Sequence, residues 1–206
     1  IISCFAVKLN NTLRVYRGCR MKLLYSNILP LGTEDDQETI MDCFNEQMKI
    51  ADRIEIAVGY TSNASLAELD RLVDECSISK VCLNIGMYFI EGMPEGAYHT
   101  AIKINEKWQK SDTGEIRVIK AFKYHGKLFC FYKDGKPISA IIGSANLGVI
   151  KLEANNIRQY EISAISENET EIEEIVKHIN ELKKPNISEN IASIKGMPLI
   201  YETNTA

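Results

Sequence analysis

His125, Lys127, Ser144 and Asn146 are the residues of this chain whose types and spacing can do chemistry. An imidazole, an ammonium, a hydroxyl and an amide held together can bind a phosphodiester and attack it. All four fall on one expected β-hairpin. Residues 128–132 and 138–142 are mostly β-branched, aromatic or aliphatic, and Lys133, Asp134, Gly135, Lys136 and Pro137 between them are turn formers. Pairing around that turn brings His125 and Lys127, ahead of one strand, next to Gly143, Ser144 and Asn146 at the end of the other. Residues two apart share a side, so His125 and Lys127 point together, as do Ser144 and Asn146. Gly143 leaves room for a phosphate to approach the backbone.

His125-Gly126-Lys127 followed by Gly143-Ser144-Ala145-Asn146 resembles the HxK…GSxN signature of the phospholipase D superfamily, the HKD phosphodiesterases. The usual motif has an Asp five residues after the Lys; here that position is Tyr132, and Asp134 sits two places later. In this the chain is similar to the metal-independent restriction-endonuclease branch, the NgoFVII-type enzymes. The resemblance implies an α/β fold: a phospholipase D-like mixed β-sheet flanked by helices on both faces, with a single HKD motif per chain. It also implies a Glu on a strand downstream of the Asn. Glu161 matches best, and Glu153 is the weaker match because it falls in a polar, loop-like segment.

Phosphoryl transfer needs in-line attack, a proton for the leaving oxygen, and positive charge at the equatorial oxygens. One imidazole cannot both attack and protonate the group departing on the opposite side. A second HxK is absent: His99 precedes Thr100-Ala101, and His178 precedes Ile179-Asn180. A homodimer with a twofold axis through the site would supply one His125 from each chain. By the resemblance, one His125 attacks to form a phosphohistidine and its mate acts as acid, then as base for water. Lys127 and Asn146 bind phosphate oxygens, with Ser144 and Gly143 assisting, and Glu161 accepts a hydrogen bond from the other imidazole nitrogen. No cofactor or metal ion is implied, and the expected partners are DNA and a second copy.

Three other readings remain at this point. One is a metal site at Asp134-Gly135-Lys136 with Asp112 as ligand. Another is a non-catalytic phosphate-binding module. The third is a non-specific nuclease or a lipid phosphodiesterase of the same superfamily, and nothing in the sequence marks an acyl-chain groove.

A chain of 206 residues, 45% hydrophobic and 25% charged, suits one soluble α/β domain. The net charge of −4 argues against indiscriminate coating of nucleic acid, yet basic residues outnumber acidic ones nine to four between His99 and Lys136. That surplus is expected to form a basic patch around the motif. The six cysteines have no metal-ligand spacing and fit reduced thiols of a cytoplasmic protein. No apolar run is long enough for a membrane span.

Residues 1–20 carry Lys8, Arg14, Arg17 and Arg20 with no acid, and read as a leader that is either not native, with a natural start at Met21, or a processing remnant or targeting presequence. Residues 21–184 are the expected nuclease domain. Strands are expected at 54–59, 81–85, 115–121 and 157–165, the last carrying Glu161. Helices are expected at 38–51, at 65–76 behind a capping box from Ser65 to Glu68, at 96–109, and from Asn168 to Leu182. Residues 185–206 read as a linker or loosely docked arm. Relatives in the restriction branch continue into a separate DNA-recognition domain, so sequence choice is left to such a domain or to an accompanying methyltransferase.

Overall fold

The structure is a computed structural model that describes residues 21–151 and 159–201. Its central hairpin forms as the alternation requires. Strands β7 (Leu128–Lys133) and β8 (Lys136–Gly143) pair antiparallel, with Asp134 and Gly135 at positive φ in the two-residue turn. Around it lie β1 (Lys22–Tyr25), the two-residue β2 (Glu38–Thr39), β3 (Arg53–Val58), β4 (Lys80–Ile85), a short β5 (Met93–Pro94) and β6 (Gly114–Ile119). After the hairpin come β9 (Ile162–Ser166), β10 (Ser188–Asn190) and β11 (Leu199–Ile200). Nine of these form one mixed sheet in the order β10-β6-β4-β3-β7-β8-β9-β1-β2, while β5 and β11 pair apart from it. β3 runs parallel to β4 and antiparallel to β7, so the C-terminal end of β3 lies beside the start of β7.

Helices α1 (Ile40–Ile50), α2 (Asn63–Glu75), the single-turn α3 (Tyr88–Glu91), α4 (Glu95–Lys110) and α5 (Glu169–Leu182) complete the fold. Side chains of α1, α2 and α4 join the larger core with alternate residues of the strands, among them Ile54, Ile56, Leu83, Phe129, Phe131 and Ile141. Phe44 of α1 meets Phe129 and Phe131 edge-on, at ring distances of 5.6 and 5.5 Å. The opposite face holds a smaller core in which Ile172, Ile179 and Leu182 of α5 cover Leu128, Cys130, Tyr132 and Ala140. Helices therefore flank both faces, as the sequence led us to expect.

Several local expectations shift. The second helix begins earlier than Ser65, because the capping box is Ser62 with Ser65: the Ser65 N–H bonds Ser62 Oγ at 3.2 Å and the Ser62 N–H bonds Ser65 Oγ at 2.8 Å. The first turn of α5 matches its prediction, with Asn168 accepting from the Glu171 N–H. Between Pro185 and Tyr201 the described chain is tied to the rest of the fold. β10 pairs with β6, Ile191 is fully buried, and β11 pairs with β5. These strands are two or three residues long, too short to show a hydrophobic period in sequence. The leader, Cys4, Cys19 and Glu153 lie outside the described residues, and the described cysteines are free thiols.

Under α5, Glu55 of β3 is 2% exposed and accepts from Arg53 and from Lys183 Nζ (2.7 Å), with the Tyr132 hydroxyl at 3.2 Å. Burial pushes this carboxyl up, but the Lys183 and Arg53 bonds outweigh it and leave it below the ordinary carboxylate range. A depressed carboxylate stabilises the fold above its unfolded pKa, and that contribution is lost as pH falls through the folded value. We expect Glu55→Gln to cost about 2 kcal/mol at neutral pH, since it strands two partly buried cations. Thermal melts of both proteins should converge on acidification below the ordinary carboxylate range.

Candidate active site

The site forms where β3, β7, β8 and β9 present the same end of the sheet. His125 and Lys127 occupy the extended segment entering β7, and Ser144 and Asn146 follow the end of β8. A cavity of about 820 Å³ is lined by His125, Lys127, Gly143, Ser144, Asn146 and Glu161, together with Tyr60, Gln159 and Tyr160. All six residues singled out from the sequence thus meet in one place. His125 is exposed, and among the described residues its ring makes no hydrogen bond, so it is open to a reactant. Lys127 is 6% exposed, and its ammonium rests on the His125 carbonyl at 2.6 Å. Burial lowers its pKa from the ordinary lysine value, and the Glu161 carboxylate opposes that shift. A buried cation with one neutral acceptor has unused donors for a phosphate.

Asn146 is oriented by the backbone: the Tyr60 N–H donates to its Oδ1 at 3.0 Å, which leaves the Nδ2 donors for a ligand. The end of β3 must come close for this bond. A Cβ on Gly59 would lie 3.0 Å from the His125 ring and 3.4 Å from Asn146 Oδ1, so Gly59 is part of the floor of the site. Neither Gly59 nor Tyr60 stood out in the sequence, because each lies more than sixty residues from the motif it supports.

Glu161 is placed differently from the expectation. It precedes β9 rather than lying on it, and its carboxylate accepts from the Ser144 hydroxyl, not from the imidazole. Ser144 Oγ also accepts from the Ile162 N–H at 3.1 Å, and the Glu161 N–H bonds Ser26 Oγ at 3.0 Å. Ser144 is therefore engaged in tying β8 to β9. Gly143 serves the same junction. A Cβ there would stand 2.3 Å from Ser163 Oγ and 2.5 Å from the Ile162 carbonyl, so the missing side chain makes room for β9 rather than for phosphate alone. We expect Gly143→Ala to lower stability by about 1–3 kcal/mol, read from denaturant melts, and to impair the site by spreading β8 from β9.

The basic surplus does not gather here. Lys107 bonds Asp70 and Asp74 at 2.8 and 2.7 Å, Lys120 pairs with Glu189, Arg117 with Glu115 and Lys123 with Glu91. Of the nine cations, Lys127 is the one lining the cavity among the described residues. Asp134 lies in the turn at the far end of the hairpin, and Asp112 is paired with Lys80 at 2.7 Å. No group of three His, Cys, Asp or Glu side chains among the described residues could hold a metal ion. Phe129, Phe131 and Tyr132 are core residues, Tyr124 is buried beside His178, and Phe122 is exposed.

With this geometry in place, a family model described as the NgoFVII restriction endonuclease N-terminal PLD domain matches residues 38–196. The chain belongs to that family. Membership makes it an enzyme of the phosphodiesterase and endonuclease class, on a phospholipase D fold. Among solved structures it is similar to Nuc from Salmonella typhimurium, a phospholipase D family member, at 13% identity and a TM-score of 0.52, covering 83% of this chain and 97% of that one. It is also similar to NucT from Helicobacter pylori at 14% identity and 0.53, covering 79% and 94%. Phosphatidylserine synthase from Haemophilus influenzae Rd KW20 shares the fold at 11% identity and 0.53, over 88% of this chain but 43% of that one. No curated protein sequence matches. Among the described residues no helix is long and apolar enough to cross a membrane.

Proposed function

We propose that this domain of the NgoFVII family hydrolyses DNA phosphodiesters without a metal ion, through a phosphohistidine on His125, in a site completed by a second copy of the chain. The observation that carries the reading is the cavity itself. It holds an unbonded imidazole, a buried ammonium and a free amide, which suit attack and charge stabilisation, but it holds one imidazole where the reaction needs two.

In the forward step, a ring nitrogen of His125 bonds to phosphorus as the P–O bond to the leaving oxygen breaks. His125 of the partner subunit gives that oxygen its proton. Water then attacks phosphorus, the partner's His125 takes the water proton, and the N–P bond breaks to release a phosphomonoester and free imidazole. Lys127 and the Asn146 amide hold the non-bridging oxygens. Two copies would double the one cation, Lys127, that lines the cavity among the described residues.

A surface suited to that second copy adjoins the site. Among the described residues, α5 leaves the outer part of its face of the sheet uncovered, where β8, β9 and β1 run side by side. Ile142, Ala164 and Leu23 are in register across these strands, and Ile142, Ile162 and Leu23 are 41%, 47% and 50% exposed. An apolar cavity of about 540 Å³ opens on this face, lined by Ile142, Leu128, Ile175 and Tyr124, and shares Lys127 and Gly143 with the reactive cavity. A contiguous apolar strip at the mouth of a half-complete site is what a twofold partner would cover. Base-sequence selection then falls to a recognition domain or methyltransferase outside this domain, in keeping with a family model that describes an N-terminal domain.

The test is plasmid cleavage in EDTA, with acid-free quenching to trap the adduct. We expect undiminished cleavage in EDTA and a DNA–protein adduct that is labile to acid and stable to alkali, as a phosphoramidate is. Cleavage that requires added metal would overturn the mechanism. Because the neighbouring cavity is apolar, phosphatidylcholine vesicles serve as the second substrate; choline release without DNA cleavage would reassign the enzyme to lipids.

A further inference from the structure

We infer that Tyr60 and Glu91 act as a positioning pair, which holds the His125 imidazole and the Asn146 amide in the geometry the reaction uses. The inference rests on His125 being the reacting group. Tyr60 follows Gly59 at the end of β3 and makes three contacts from one residue. Its ring meets the His125 ring edge-on, at 5.9 Å between centroids and 76° between planes. Its N–H donates to Asn146 Oδ1 at 3.0 Å, and its hydroxyl donates to the Glu91 carboxylate. Glu91 in turn bonds Lys123 Nζ at 3.0 Å, two residues ahead of His125. The loop that carries the imidazole and the ring that abuts it are thus fastened to the same carboxylate.

The charges around the imidazole make this role specific. Lys127 lies on its own segment with its ammonium on the His125 carbonyl, and Glu161, ahead of β9, is committed to Ser144. Among the described residues, Glu91, at the end of α3, is the further carboxylate tied to the His125 surroundings through Tyr60 and Lys123. The Tyr60 hydroxyl, and then Lys123, hold it below the ordinary carboxylate range, so it stays an anion that anchors the phenol. The same bond raises the Tyr60 phenol to about 12, which keeps the donor proton on oxygen. Tyr88 also packs edge-on against the Tyr60 ring at 5.5 Å and 68°, and it accepts from the Thr61 N–H at 3.0 Å. Tyr60 thus has little freedom, and through it neither does the pair of groups that must meet phosphorus and its oxygens. Misplacement of such groups by about 1 Å can cost roughly 10²-fold in rate.

The experiment compares Tyr60→Ala, Tyr60→Phe and Glu91→Gln with wild type, under saturating and limiting DNA. We expect Tyr60→Ala to lower kcat by about 30- to 100-fold with KM changed less than about threefold. Tyr60→Phe, which keeps the ring, should recover most of that loss and remain about fivefold slow, as should Glu91→Gln. A readout independent of turnover follows carbethoxylation of His125 by mass spectrometry, with His99 and His178 as internal references. Release of the ring should speed modification of His125 in Tyr60→Ala at least about threefold relative to those two.

Equal kcat and equal His125 reactivity in Tyr60→Ala and wild type would overturn the inference. If Tyr60→Ala does not fold, Tyr60→Phe and Glu91→Gln decide it, and wild-type rates in both refute the pair. A wild type that cleaves no phosphodiester would refute the proposed function instead, while the carbethoxylation comparison still decides whether Tyr60 positions the ring.

Discussion

His125→Ala should abolish cleavage, with a loss of at least about 10⁴-fold in single-turnover rate, while the thermal melt stays that of the wild type. The size follows from the chemistry: the substitution removes the nucleophile of one copy and the acid of the other at once. Losing one member of a group that acts as a unit costs nearly as much as losing all of it. A factor of 10⁴ corresponds to about 5.4 kcal/mol of transition-state stabilisation. The fold should be indifferent, because the His125 ring is exposed and, among the described residues, makes no hydrogen bond. Residual cleavage within about tenfold of wild type would remove His125 from the chemistry. A lost melting transition would make it a packing residue.

Leu23→Asp together with Ile142→Asp should give a folded monomer that does not cleave. Both residues sit on the bare strip of β1 and β8, in one row through Ala164, and a carboxylate placed there faces water in the monomer at little cost. At a twofold interface each charge appears twice and must be desolvated, so the association constant should fall by at least about 10³-fold. Ile50→Asp is the control. Ile50 is equally exposed, but it lies on α1 over the opposite face of the sheet, and its substitution should alter neither oligomer size nor rate. Sedimentation velocity across a concentration series reads the first effect, and single-turnover cleavage reads the second. An active, stable monomer in the double variant would contradict the shared site.

The part of the site that was legible in sequence is the part built locally. Alternation along 128–142 and a turn-forming break fixed the hairpin, and the hairpin placed His125, Lys127, Ser144 and Asn146 around one cavity. Amphipathic spacing likewise located α1, α2, α4 and α5 within a few residues. What escaped depends on partners far apart in the chain. Tyr60 reaches Asn146 across 86 positions, and Glu91 meets Tyr60 across 31, so no motif spacing records either contact. Glu161 lines the cavity, but whether a carboxylate meets an imidazole or a hydroxyl is decided by where β9 starts, and strand boundaries are weakly encoded. The supposed basic patch failed for a similar reason. Lys107 and Lys120 find their acids on α2 and β10, elements distant in sequence, and are neutralised there. The apolar strip was equally hidden, since among the described residues it arises where α5 crosses one part of the sheet and leaves another uncovered.

The most direct test of a shared site is a purified heterodimer of one wild-type chain and one His125→Ala chain, isolated through two different affinity tags and assayed before the subunits exchange. With one imidazole left between two subunits, nucleophile and acid cannot both be supplied, and we expect cleavage to fall to the level of the double mutant. Half of the wild-type rate would mean that each chain completes its own reaction, and would contradict the shared site outright.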